Sequence, residues 1–370
     1  MLDPYPFVRP LLHRLDPEDA HELTLRALEA NLVPVQPGDD DPILATRLFG
    51  RALRNPVGLA AGFDKNGRVY ERMGAQGFCF VEVGGVTPRP QAGNPRPRVF
   101  RLPEDRAVIN RMGFPNQGAD ALEARLRRKG RPPGTALGIN LASNADSADP
   151  AEDFVGLARR FAPYADFLTL DVSCPNTANG QVFQDPARLA DLLDRLAVDG
   201  GMGAGRDERT GAGGDSPPVL VAKLAPDVDD ALLSRLVETL LAGGVQGLVI
   251  SNTTRTRPAG LRGRHRAETG GLSGAPLFAP STAMLARVRR LSGGAVPLIG
   301  VGGVASGADA YAKIRAGATA VQLYTGLIYA GTSLVTRIKR ELAALLRRDG
   351  FGSVAEAAGA TGTASSHAVL

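Results

Sequence analysis

Between residues 57 and 346, short apolar runs alternate with helical periodicity eight times, and no other feature of the chain restricts its fold as much. The runs occupy 57–61, 78–83, 136–141, 167–172, 219–224, 247–251, 298–301 and 320–324. They are too short for helices and suit strands buried on both faces. Helical patterns follow at 69–73, 119–128, 153–161, 187–196, 229–242, 282–291, 308–316 and 334–346. Such alternation predicts parallel βα units, and eight of each is the count of a closed (β/α)8 TIM barrel; an open doubly wound sheet is the alternative. At 370 residues the chain is longer than the roughly 250 such a barrel needs, which leaves room for an appendage.

The appendage is expected at the N-terminus, as a short helical extension over 1–40. Phe7, Val8, Leu11, Leu12 and Leu15 fall at helical spacing, and after Asp16-Pro17, a cap with proline at N1, Leu23, Leu25, Leu28 and Leu32 mark a second helix. This pair is either a packed extension of the barrel or a plate facing a membrane. The barrel should then cover 41–348, with a disordered tail over 349–370, where the end is rich in Ala, Gly, Ser and Thr. Residues 88–115 and 252–280 are long βα insertions of the kind that form lids or binding loops. Residues 199–216 read as a surface excursion on the opposite rim.

Charge and cysteine usage remove several classes of function. Two cysteines without metal-ligand spacing leave neither a disulfide framework nor a zinc site to be expected, and no metal is expected at all. Lys+Arg 43 against Asp+Glu 38 gives +5, but no basic run is long and tryptophan is absent, so nucleic acid is not an expected partner. No stretch reaches the roughly 18 apolar residues of a membrane span. The chain is therefore expected in the cytosol or on a membrane surface. Only Lys65, Lys129, Lys223, Lys313 and Lys339 are lysine, so each is informative.

A TIM barrel carries its site at the C-terminal ends of its strands, which nominates Ala61, Gly62, Lys65, Gly84, Gly85, Asn140, Asp171, Ser173, Cys174, Asn176, Lys223, Ser251, Asn252, Thr253, Gly302, Gly303, Tyr324 and Thr325. Turns use Gly, Asn, Asp and Ser for their own reasons. Two lysines and three amides on one rim are harder to explain as turn chemistry. Glycines after the seventh and eighth strands suit a phosphate held by backbone N–H groups. Lys223 ends an apolar strand and offers a fixed cation to an anionic intermediate such as a reduced flavin. Cys174 is a candidate acid or base. Cys79 reads as core, Met112 and Phe114 as either lid packing or substrate contact. His13, His21, His265 and His367 fall away from every strand end, which disfavours histidine chemistry.

The segments AAGFDKNG, VTPRPQ, NRMGF, SCPN, AKLAPD, SNTT, TGGLSGAPL, IGVGG and VQLYTG, in unbroken order, closely resemble dihydroorotate dehydrogenase, an FMN enzyme of pyrimidine synthesis. The N-terminal LDPEDAH is similar to the extension of the quinone-dependent, membrane-associated class. The resemblance implies FMN contacts at Ala61, Gly62, Gly85, Asn140, Asp171, Lys223, Ser251, Gly274, Gly303, Tyr324 and Thr325. It implies Lys65 on the substrate carboxylate, Asn110, Asn176, Asn252 and Thr253 on the pyrimidine ring, and Arg111, Met112, Gly113, Phe114 and Asp171 beside the substrate. Hydride would pass from substrate C6 to the flavin while Cys174 takes the C5 proton, and quinone would reoxidise the flavin through an apolar tunnel formed by 5–32. Peripheral attachment to the cytoplasmic side of the cell membrane follows from the same class.

Several positions depart from the family pattern. Cys174 replaces the serine of the quinone class, Asp171 an asparagine that touches flavin and substrate, and Gly85 a threonine. Ala142-Ser143-Asn144 stands in place of Gly-Lys-Asn, and the run after Asn176 lacks the usual PGLR. An FMN oxidoreductase for another cyclic substrate, and a non-redox barrel binding a phosphorylated metabolite, are the competing expectations.

Overall fold

The computed structural model describes residues 4–36, 38, 40–173, 178–202 and 218–360. The chain begins with α1 (Tyr5–Leu12), α2 (Pro17–Glu29), β1 (Thr46–Leu48), β2 (Arg51–Leu53), β3 (Val57–Leu59), α3 (Tyr70–Gly74), β4 (Phe80–Val86), β5 (Val99–Leu102), β6 (Ala107–Asn110) and α4 (Gly118–Lys129). It continues through β7 (Ala136–Leu141), α5 (Pro150–Phe161), β8 (Phe167–Asp171), α6 (Pro186–Val198), β9 (Val219–Leu224), α7 (Asp230–Ala242), β10 (Gly247–Ile250) and β11 (Gly271–Gly274). Last come α8 (Phe278–Leu291), β12 (Leu298–Gly300), α9 (Gly307–Arg315), β13 (Ala320–Leu323), α10 (Thr325–Ala330), α11 (Ser333–Arg348) and α12 (Val354–Ala357).

Eight strands close in the order β10-β12-β13-β3-β4-β7-β8-β9 with every neighbouring pair parallel. All eight expected strands are present, and the open-sheet alternative is excluded by the closure. Phe80 and Phe167 fill the barrel interior, with ring centroids 6.4 Å apart. They fit because Gly58 and Gly138 lack side chains: a Cβ at either would lie 2.3 or 2.2 Å from the facing ring. The hairpin β1-β2, which the sequence pattern did not reveal, closes the far end with Leu48 and Leu53, and Phe49 stacks 5.3 Å from Phe167.

Above the barrel mouth, the two long insertions are not loops throughout. They contribute β5, β6 and β11 to one antiparallel sheet in the order β11-β6-β5. Its buried side is a small cluster of Phe100, Leu102, Ala107, Ile109, Leu261 and Leu272. The expected boundary of the tail at 349 also moves. Val354 and Ala357 are fully buried in α12, and Arg315 donates to the Ala360 carbonyl at 2.8 Å, so ordered packing runs to 360.

The N-terminal helices sit on this rim sheet. Asp16 caps α2 through the Glu18 amide at 2.9 Å, with Pro17 at N1 as its sequence requires. Leu25 and Leu28 pack into the outer barrel core. Arg98, on the lid segment, grips Glu18 with two bonds of 2.9 and 2.8 Å, and Arg68 grips Glu22 and Glu29. One side of the pair is thus bolted down, while Phe7, Leu11 and Leu32 are 81%, 61% and 75% exposed. No helix among the described residues is long and apolar enough to cross a membrane.

Candidate functional site

A single cavity of about 740 Å³ starts at the barrel mouth and continues between α1, α2 and the rim sheet. Its barrel end is lined by Ala61, Gly62, Lys65, Gly85, Asn140, Asp171, Lys223, Ser251, Asn252, Thr253, Gly274, Gly303, Tyr324 and Thr325, and Asn110, Met112, Gly113 and Phe114 enter from the lid. Its outer end is apolar, with Val8, Leu12, Leu23, Ala27, Leu32 and Val33. Residues scattered over most of the chain meet here because each follows a barrel strand or sits on β6 and β11.

The floor is organised by Glu82, a fully buried carboxylate. It accepts from Asn140 Nδ2 at 2.9 Å and Gln322 Nε2 at 2.7 Å. Because a carboxylate only accepts, this fixes the Asn140 amide with Oδ1 facing elsewhere. That oxygen is buried without a partner among the described residues. Beside it, Lys223 lies opposite Asp171 in the strand register, and Ser173 Oγ donates to the Lys223 carbonyl at 2.8 Å. Asn252 Nδ2 donates to Asp171 Oδ1 at 3.0 Å. Burial pushes the Asp171 carboxyl above its ordinary range, against the pull of Lys223.

On the other wall, Lys65 Nζ donates to the Gly62 carbonyl at 2.7 Å. Burial lowers its ammonium to about 8, partly offset by Glu18. Gly85 is lined so tightly that a Cβ would meet the Phe114 ring at 2.8 Å and Asn140 Oδ1 at 3.2 Å. The glycine at this position therefore goes with the inward ring of Phe114.

Sequence reasoning missed the polar groups of the apolar end. His21, expected away from the strand ends, donates from Nε2 to the Phe63 carbonyl at 2.9 Å, and burial lowers it to about 3, leaving it neutral. His13 contacts the Ile328 carbonyl at 3.1 Å and the Tyr329 ring edge-on. Arg101 donates to the Leu12 and Leu15 carbonyls, and Tyr329 donates to the Ala107 carbonyl at 2.6 Å. The helical spacing that revealed α1 and α2 was the available signal, since it places His21 on the same helix as the buried Leu25 and Leu28 and His13 at the end of α1.

A sequence model of the family Dihydroorotate dehydrogenase matches residues 43–346. The chain belongs to this family. It is 51% identical to the dihydroorotate dehydrogenase (quinone) of Rhodospirillum rubrum over 362 residues, 97% of this chain and 95% of that one. It is 46% identical to the mitochondrial dihydroorotate dehydrogenase (quinone) of Mus musculus over 360 residues, 95% and 89% of the two chains. The crystal structure of Eimeria tenella DHODH in complex with ferulenol superimposes with a TM-score of 0.86 at 37% identity, covering 93% of this chain and 95% of that one.

Within the dihydroorotate dehydrogenase family, a family of flavoproteins, the cavity has the features a phosphorylated flavin requires. Asn140 offers a buried acceptor in want of a partner, and Gly302 and Gly303 turn with φ of 98° and 78°, a backbone that side chains rarely allow. Arg111 is the exception among the expected substrate residues. Its guanidinium turns away from the cavity to pair with Glu268 at 2.8 Å and to cover the Phe100 ring at 4.6 Å, because β6 alternates its side chains and Asn110 takes the inward position. Cys174 and Asn176 lie outside the described residues, as does His367. Asn144 in the departing 142–144 run accepts from the Arg89 amide at 3.0 Å and so pins the lid segment.

Proposed function

We propose that the protein is a quinone-dependent dihydroorotate dehydrogenase, oxidising (S)-dihydroorotate to orotate in pyrimidine synthesis with FMN as its redox carrier and a quinone as acceptor. The observation that carries this reading is the continuity of one cavity, from a charged barrel mouth to an apolar space between two helices. Bound at the mouth, FMN would supply a two-electron carrier between dihydroorotate as donor and the quinone as acceptor.

The chain's own residues divide the remaining work. Lys65 holds the substrate carboxylate, and the anion in turn keeps its ammonium charged near neutral pH. Asn110, Asn176, Asn252 and Thr253 hydrogen-bond the pyrimidine ring. Asn140 Oδ1 would accept from the flavin, the Gly302–Gly303 amides would hold its phosphate, and Lys223 would stand as a fixed cation on the floor. Cys174 takes the proton from C5, a role suited to a thiol whose unperturbed pKa is about 8.5. The rim sheet and Phe114 exclude water. The exposed apolar side of α1 and α2 rests on the cytoplasmic surface of the cell membrane, where quinone partitions, and the inner side conducts it to the cavity.

The test is the anaerobic visible spectrum of the purified protein. Dihydroorotate should bleach a flavin band in the native protein, and Cys174→Ala should keep the band but lose the bleaching by about 10²–10⁴ in rate. A band that dihydroorotate leaves unchanged in the native protein would transfer the assignment to another cyclic substrate.

A further inference from the structure

The five lysines separate by partner. Lys129 pairs with Glu71 at 3.1 Å and Lys339 with Asp40 at 2.5 Å. Lys65, Lys223 and Lys313 form no ion pair among the described residues, and the first two line the cavity. Lys313 does not, although it is fully buried. From α9 it donates to Ser281 Oγ at 2.8 Å and Thr282 Oγ1 at 3.1 Å, in the opening turns of α8, and its ammonium lies 5.3 Å from the Phe278 ring centroid.

Electrostatics make that a poor place for a lone cation. The start of a helix is its positive end, and a buried charge without a counter-ion costs more than a neutral isostere of the same volume. Asp309, one turn earlier on α9, is the carboxylate whose field reaches Lys313, and it is already accepting from the Ala305 amide at 3.0 Å. Burial accordingly brings the Lys313 ammonium down to about 7. Its hydrogen bonds lead on to the cavity wall. Ser281 Oγ, which takes the lysine bond, is itself 3.2 Å from the Gly302 carbonyl, and Gly303 packs so closely on α8 that a Cβ would lie 2.8 Å from the Phe278 nitrogen. Leu277, Gly302 and Gly303 all line the cavity.

We propose that Lys313 is a positioning residue for the cofactor phosphate, balancing the dianion's charge from behind the Gly302–Gly303 turn through Ser281 without touching it. The inference rests on the flavin reading above. With an anion on the cavity side, the lysine, the start of α8 and the backbone amides of the turn all face one negative charge, and an arrangement unfavourable on its own becomes a preformed anion site. The site would then discriminate FMN from riboflavin, which is the same ring system without the phosphate.

The experiment follows flavin release from the full-length holoenzyme by recovery of flavin fluorescence on dilution, with FMN and with riboflavin exchanged in its place. Lys313→Met should weaken FMN about tenfold or more, the size expected for one screened charge at short range, while riboflavin affinity and the dihydroorotate KM of the flavin-loaded fraction stay unchanged. The flavin-depleted variant should melt no lower than the flavin-depleted native chain, because methionine removes an unpaired buried charge. Equal loss of both flavins, or a lowered melting temperature in the depleted protein, would give Lys313 a purely structural role and overturn the proposal. So would native protein that holds riboflavin as tightly as FMN. Should Lys313→Met fail to fold, Ser281→Ala severs the same link and must weaken FMN selectively. Native protein that binds neither flavin would instead overturn the reading on which the inference rests.

Discussion

Asp171 is where a single residue most alters the chemistry expected of this site. Asn252 donates to its Oδ1 as it would to an amide oxygen, so the geometry tolerates the carboxyl while the burial does not favour its charge. Its folded pKa is raised. The unfolded chain therefore ionises first as pH rises above the ordinary carboxylate value, and the native state loses stability over that window. Asp171→Asn should accordingly raise the melting temperature by a few degrees at pH 7, with the gain shrinking as pH falls toward about 4. A gain independent of pH would show that Lys223 keeps Asp171 ionised. Sequence position named Asp171, Lys223, Asn140 and Lys65 because strand ends define the site. It could not name Glu82, which holds Asn140 from 58 residues away, or Gln322, which bonds Glu82 from 240 residues away.

At the scale of elements, the helices α1 and α2 behave differently on their two sides. Their inner faces are held by Glu18–Arg98, by Arg68 and by the Tyr5 hydroxyl on the Ile328 carbonyl at 2.6 Å, and they line the apolar outer part of the cavity, with Glu18 and His21 turned toward its barrel end. Removing residues 1–40 should therefore abolish quinone reduction while dihydroorotate still reduces a small water-soluble dye through the barrel mouth. Equal loss of both activities would mean that the pair merely supports the barrel. Periodicity made both helices legible. The rim sheet was not, since β5, β6 and β11 are four residues each and β11 pairs with β6 across a gap of more than 150 residues. Short strands of that kind carry no period long enough to read.

The molecule as a whole has two apolar surfaces with opposite fates. Inside the barrel, Phe80 and Phe167 occupy the space that Gly58 and Gly138 vacate. Gly138→Ala should cost about 1–3 kcal/mol through overpacking, read as a lowered denaturant midpoint with an unchanged slope; an unchanged midpoint would show that the rings can move aside. Outside, Phe7 and Leu11 of α1 are uncovered, and Leu32 is exposed at the outer end of the cavity. Phe7→Ser with Leu11→Ser should reduce co-sedimentation with phospholipid vesicles severalfold and leave dye reduction intact, and retention on vesicles at the native level would detach the membrane reading from this face.

By itself the sequence determined the eightfold βα alternation, the rim on which the site stands and most of its polar residues, because each of these depends on local period and on position at a strand end. The tertiary structure alone decided that Arg111 turns outward, that His13 and His21 reach the cavity, that Glu82 orients Asn140, that the lid is a sheet and that packing continues to residue 360. Those are contacts between segments far apart in the chain, and no local pattern encodes which distant partner a side chain will meet.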